Sequence, residues 1–239
     1  MLRRDFRNFR SEEAQSLLLD GSPHVLPTYP VDLSEQAARQ LIRLGVRPRT
    51  RVQVIAMDAE GLTLRTADGE ERLAARTVLW AAGVQPSAFG RVLAERAGAK
   101  LDRQGRVMVA PDLSIPGRPE IFVIGDLAVL EQDGNPLPGV APVAMQEGRY
   151  VAGLIHAQAE GRTVPRFHYF NKGNLAVIGR AAGVADFGRL HFHGWPAWLL
   201  WLFVHLMYLA QFRNRLLVFI RWGFQYLTFD RGARLITGD

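Results

Sequence analysis

An α/β fold is what this 239-residue sequence predicts. Three observations carry the prediction. Helical and extended apolar patterns alternate along the chain. Several extended runs are apolar on both faces, as strands of a buried, largely parallel sheet are. The composition, 48% apolar and 22% charged, is that of a folded globular protein and not of a disordered one. The length admits one large domain or two small ones, with a sizeable core either way.

Taken in order, Leu17-Leu-Leu-Asp20 is a short apolar strand closed by an acid, with a turn at Gly21-Ser-Pro23. A helix follows on the period Ala37, Ala38, Leu41, Ile42 and Leu44, with Asp32 or Ser34 as its cap and Gly45 as its end. Val46 to Met57 alternates as a strand does, and the runs around Ala67-Asp-Gly69 form a hairpin. Thr77 to Ala81 reads as a buried strand, and Gly105 to Ala110 and Ile121 to Ile124 as two more. Pro142 to Ala159 reads as a helix ended by Gly161. Phe167 to Gly194 is a strand meander with turns at Asn171-Lys-Gly173 and Asp186-Phe-Gly188, and Trp195 to Ile236 is helical and apolar.

Charge is unevenly distributed. The net charge is +6, and from Arg166 onward nine basic residues face three acidic ones, so the whole excess lies there. A basic, aromatic tail on a neutral body points to an anionic surface, lipid or nucleic acid. The tryptophan-rich apolar block within the tail fits lipid and leaves a nucleic-acid partner unsupported. The start, Met1 to Arg10, is basic, yet it contains Asp5 and lacks serine enrichment, so a surface helix end is expected there rather than a transit peptide. No apolar signal-peptide core follows it. The sequence holds no cysteine, which excludes a disulfide scaffold, a thiolate metal site and a redox dithiol within it.

Three segments could carry chemistry. Thr77-Val-Leu-Trp-Ala-Ala-Gly-Val-Gln-Pro86 is an apolar strand ending at Gly83, where a flat ligand can approach the backbone. Pro119-Glu-Ile-Phe-Val-Ile-Gly-Asp126 presents Gly125 and Asp126 at the carboxyl end of a strand, the place where α/β sheets bind ligands. An acid there holds ribose or ribityl hydroxyls. Ala141-Pro-Val-Ala-Met-Gln-Glu-Gly148 opens a helix whose small residues leave room, and whose amide end favours an anion or an electron-rich ring edge. His191 and His193 alternate on one strand face, but no cysteine or carboxylate stands beside them to complete a metal site, and none is expected.

These segments, with NKGNLAVIGR at 171–180 and YLTFDRGARLITG at 226–238, resemble the type II NADH dehydrogenases. Those are single-subunit NADH:quinone oxidoreductases of the two-dinucleotide flavoprotein superfamily. The resemblance implies FAD and NADH as cofactors and quinone as acceptor. It implies that Asp126, after Gly125, binds the FAD ribityl chain, and that Val143 and Ala144 lie against the flavin ring. Gln146 and Lys172 would sit beside the flavin, with Gln146 at the quinone entrance. Gly83 would lie near the nicotinamide and Asp20 at the adenosine ribose of NADH.

The same resemblance divides the chain into residues 1–83 (the remainder of an NADH-binding domain), 84–165 (the second part of an FAD-binding domain), 166–194 (a meander closing the flavin and quinone site) and 195–239 (membrane-associated helices). The implied fold is therefore a partial two-dinucleotide-binding, Rossmann-like one with a C-terminal amphipathic anchor. No G-x-G-x-x-G occurs in the sequence, although the family carries two, one for each dinucleotide. The expectation is a truncated C-terminal part, inactive alone, or a non-catalytic membrane-associated subunit completed by a separate N-terminal half; a homodimer is the other partner to consider.

Trp195 to Phe212 is 18 residues without formal charge, marginal for a bilayer span at about 1.5 Å per residue. His205, Tyr208, Gln211 and Arg215 give its second half a polar stripe. An interfacial anchor suits this better than a transmembrane hairpin or a buried helix pair. The expected location is peripheral, on the cytoplasmic face of a membrane.

Overall fold

The computed structural model describes residues 14–208 and 212–228. The elements run β1 (Ser16–Leu19), α1 (Val31–Arg43), β2 (Val46–Arg49), β3 (Gln53–Asp58), β4 (Gly61–Thr66) and β5 (Gly69–Ala74). Next come α2 (Phe89–Ala97), β6 (Val107–Met108), β7 (Ser114–Ile115), β8 (Arg118–Phe122), a single 3-10 turn (Gly125–Leu127), β9 (Ala128–Val129), β10 (Glu131–Gln132) and β11 (Asn135–Pro136). The last are α3 (Ala141–Ala159), β12 (Asn174–Gly179), β13 (Ala182–Asp186), β14 (His191–His193), α4 (Trp195–Tyr208) and α5 (Phe212–Thr228). The expectations for Met1 to Arg10 and for most of the 226–238 motif lie outside the described residues.

Two compact units emerge, one formed by residues 1–78 with 172–239 and the other by residues 79–171. In the first, β1 pairs in parallel with β2, from Ser16 opposite Val46 to Leu19 opposite Arg49. Helix α1 turns Leu33 and Ala37 inward, onto Val25 and Val184 of β13. The buried Gln40 amide donates to the Gly183 carbonyl at 3.2 Å and ties α1 to that strand. Neither expected cap forms: Pro30 precedes α1 and no side chain caps it. The Ser34 hydroxyl donates instead to the Leu26 carbonyl, and the Asp32 carboxylate meets His191. A loop carbonyl and a side chain of β14 thus take up the two expected caps.

The expected hairpin forms as β4 and β5, with Thr66 opposite Gly69, and β3 completes the meander. Val52, Leu62 and Leu64 make its core. The Arg49 guanidinium forks onto the Glu71 carboxylate at 2.9 and 2.6 Å, joining β2 to β5. The second meander, β12–β13–β14, is antiparallel, and α4 lies on it with Ala197 fully buried. That approach needs Gly183, where a Cβ would stand 3.3 Å from the Trp198 nitrogen and 3.1 Å from the Ala176 carbonyl oxygen.

The second unit has two cores. One gathers Ala99, Val107, Ile115 and Val123, the other Leu113, Leu130 and Val151. Helix α2 is not among the expected elements, although Phe89, Val92, Leu93 and Ala97 recur at helical spacing, and it ends at Gly98 with φ 71°. Its start packs so close to the Gly105 turn that a Cβ on Gly90 would stand 2.7 Å from the Gly105 carbonyl oxygen.

The expected largely parallel sheet does not form among the described residues. Only β1–β2 and β6–β9 are parallel; the other pairings are antiparallel. Thr77 to Trp80, expected as a buried strand, has no strand assignment, and Leu79 and Trp80 are 89% and 64% exposed. A parallel strand is stable only with neighbours on its edges and cover on its faces; among the described residues no strand pairs with this segment, and only Val78 packs, against the core of the β3–β5 meander.

Candidate functional site

The second unit holds a cavity of about 260 Å³. It lies where the β8 strand runs out into the 3-10 turn and faces the start of α3. Strand β8 ends at Phe122, Ile124 is extended, and Gly125 then turns the chain at φ 69°. A left-handed corner of this kind belongs to glycine. The turn presents Asp126 to the cavity. A Cβ on Gly125 would contact the Ala144 methyl at 3.5 Å, so the corner sits directly against α3.

Helix α3 starts after the extended Val140, with Pro142 in its first turn, where a missing N–H costs nothing. Val143, Ala144 and Glu147 fall on one face of it and line the cavity. Gly83, Val84, Gln85 and Pro86 form the opposite rim. Five residues singled out from the sequence (Gly83, Gly125, Asp126, Val143 and Ala144) are thus brought together in one cavity.

Gln146 faces another way. Its amide donates to the Phe170 carbonyl and accepts from the Phe170 N–H, both at 3.0 Å. Gln132 of β10 does the same for Tyr169, accepting its N–H at 2.8 Å and donating to its carbonyl at 3.2 Å. Two glutamines therefore clamp consecutive residues, each amide imitating a rung of a β-ladder. Asp20 and Lys172 belong to the first unit. The Asp20 carboxylate accepts the Ser22 N–H at 2.8 Å and shapes the turn after β1. Lys172 is exposed, and Gly173 beside it has φ 99° with the Phe187 ring 2.5 Å from where a Cβ would stand. The glycine of that turn is a packing requirement.

Glu147 is the functional group that sequence reasoning missed. It is 3% exposed, and its carboxylate accepts the Gly125 N–H at 2.6 Å. Burial pushes its carboxyl above the usual glutamate range; the Gly125 N–H opposes that and the negative charge of Asp126 adds to it. Its signal was its place on the same helical face as Val143 and Ala144. Arg106 also lines the cavity, held by Asp102 at 2.7 Å.

Away from the cavity, His191 lies between two carboxylates, Asp32 at 2.9 Å and Asp186 at 3.4 Å. Asp186 faces His191 across the β13–β14 hairpin and Asp32 comes from distant sequence, so the expectation of a histidine without nearby carboxylates does not hold. Among the described residues no group of three or more histidine, aspartate or glutamate side chains is arranged to hold a metal ion.

Residues 6–148 match the pyridine nucleotide-disulphide oxidoreductase family and residues 171–231 the NDH2 C-terminal domain. The chain belongs to the pyridine nucleotide-disulphide oxidoreductases and, within them, to the type II NADH dehydrogenases. It is 41% identical over 236 residues to the type II NADH:quinone oxidoreductase Ndh of Mycobacterium tuberculosis, covering 97% of this chain and 50% of that protein. Its likeness to NdhA of the same organism is 40%, covering 98% and 50%. The chain thus spans about half the length of the curated relatives it matches. Among solved structures, NDH2 from Plasmodium falciparum in complex with NADH shares the fold with a TM-score of 0.79 at 16% identity, over 92% of this chain and 59% of that one.

Proposed function

We propose that this chain forms the flavin- and quinone-facing part of an FAD-dependent NADH:quinone oxidoreductase. The observation that supports this best is the cavity where Gly125 and Asp126 face the small-residue start of α3. The residues present fit the flavin end of FAD: a glycine corner that admits the ligand, a carboxylate for the ribityl hydroxyls, and a helix start walled by Val143 and Ala144. When bound, FAD supplies a hydride acceptor for NADH and an electron donor for quinone.

The chain's own residues bind and orient. Asp126 holds the ribityl hydroxyls, and Gly83 leaves the nicotinamide room. Asp20, in the first unit, takes the adenosine ribose of NADH. Gln146 orders Phe170 at the quinone side. Helix α4 exposes Trp195, Leu199, Phe203 and Met207 along one stripe, and this stripe rests on the membrane surface at its cytoplasmic face. No helix among the described residues is long and apolar enough to cross a membrane.

The pyrophosphate end lacks such a fit, because no glycine-rich turn opens a helix in this sequence. These residues by themselves accordingly bind FAD weakly and do not oxidise NADH, and activity requires the two glycine turns as well. A second reading, a non-catalytic membrane-associated subunit, draws on the exposed Leu79, Trp80 and Val84, an apolar strip suited to a partner half or to a second copy. Flavin absorbance and NADH:quinone turnover, measured with and without a co-expressed N-terminal half of a relative, separate these readings. Turnover only in the mixture supports the first; a stable, flavin-free complex without turnover supports the second. Stoichiometric flavin and turnover from the chain alone would refute the need for a partner.

A further inference from the structure

Glu147 has no role in the reading above, yet it is the most deeply buried acid of the cavity. A buried carboxylate is costly unless something compensates for it. Here the charged group acting on it is Asp126, which has the same sign, and the compensation is the single 2.6 Å hydrogen bond from the Gly125 N–H. A leucine would pack at least as well on that helical face, so core packing alone does not account for the acid.

What the bond does is geometric. Gly125 leaves an extended Ile124 and turns at φ 69°, a corner that the sequence could relax in several ways. The Glu147 carboxylate fixes its N–H, and the Ala144 methyl stands 3.5 Å from where a Cβ on Gly125 would be. Glu147 and Ala144 lie on the same face of α3, about one turn apart. The next residue along the chain is Asp126, whose aim into the cavity follows from how that corner is set.

We propose that Glu147 is a positioning residue: through the Gly125 amide it holds the Gly125–Asp126 corner in the conformation that receives the ligand's hydroxyls. This rests on the proposed reading only in naming FAD as the ligand.

The test uses the full chain with two readouts, hydrogen exchange at the Gly125 amide and titration with FAD followed by flavin fluorescence. Glu147→Gln keeps a carbonyl acceptor; it retains Gly125 protection and binds FAD within about threefold of the parent. Glu147→Ala accelerates Gly125 exchange and weakens FAD about tenfold, the range of one buried hydrogen bond to a charged group. In an Asp126→Ala background the same change costs less than about threefold, because it acts through Asp126. Should the alanine variant fail to fold, Glu147→Leu fills the space without an acceptor and is expected to behave as the alanine does.

Unchanged Gly125 exchange in the variants lacking an acceptor would overturn the proposal, as would equal loss of FAD affinity with and without Asp126. If FAD fails to bind even when an N-terminal half of a relative supplies the glycine turns, while Gly125 protection still depends on Glu147, the positioning role stands and the FAD reading falls.

Discussion

Gly61 and Gly69 open two neighbouring strands with backbone angles that side chains rarely adopt, φ 152° and 122°, but their surroundings differ. At Gly61 a Cβ would lie 2.1 Å from the Leu73 carbonyl oxygen and 2.9 Å from the Ala75 nitrogen, both backbone atoms of the β5 side. At Gly69 it meets nothing within 4 Å. Gly61→Ala should therefore add a clash to the conformational strain and cost about 3 kcal/mol, whereas Gly69→Ala costs strain alone, about 1 kcal/mol. Denaturant midpoints of the two variants check the order. Glu147 makes the other prediction at this scale. Its carboxyl is raised in the folded state, so folding favours the protonated form, and stability falls as pH rises from the ordinary glutamate range through the raised value. Glu147→Gln, which cannot ionise, flattens that part of the stability–pH curve. An unaltered curve would show that the carboxyl titrates normally.

Strand β14 is only three residues long, and its attachment depends on side chains as much as on its ladder with β13. His191 reaches from it to Asp32 in the first turn of α1 and to Asp186 at the end of β13. The hydrogen bond to Asp32 raises the histidine, with the charges of Asp32 and Asp186 adding, and the same bond to His191 lowers Asp32. The two shifts define a window. The histidine's contribution is complete below its unfolded value, about pH 6.5, and is lost as pH rises through the raised folded value. The aspartate's contribution is present above its own unfolded value and is lost as pH falls through its lowered folded one. His191→Gln should remove the alkaline loss while leaving Asp32 without its partner, and hydrogen exchange of β14 amides against pH measures both.

At the scale of the molecule, each unit carries its own core, and the first also carries α4 with its exposed aromatic stripe. Trp195 and Phe203 are 63% and 62% exposed, while Ala197 on the opposite side is buried against β13. Trp201 also stacks on Trp222 of α5, at 6.3 Å between ring centroids. Replacing Trp195 and Phe203 together by serine should leave the fold unchanged, since neither side chain is in the core. It should reduce co-flotation with vesicles containing anionic lipid about tenfold or more, by removing two interfacial anchors. Full retention of flotation would place the membrane contact elsewhere.

Local physics made much of this legible in the sequence: the β4–β5 hairpin from its Asp-Gly turn, α3 from its length and terminal glycine, and the Gly125–Asp126 corner from a strand running into a glycine and an acid. That Gly83, Gly125, Asp126, Val143 and Ala144 would share one site was implied by the family resemblance, since local pattern marks each segment separately and does not say that the three meet. Tertiary structure alone decided the rest. The burial of Glu147, the reach of His191 to Asp32 and the glutamine clamp on Tyr169 and Phe170 join residues far apart in sequence, and no local pattern encodes such partners. The largely parallel sheet was the opposite case. The apolarity of Thr77 to Ala81 is consistent with a buried strand, but a strand exists only where a neighbour supplies the other half of its ladder.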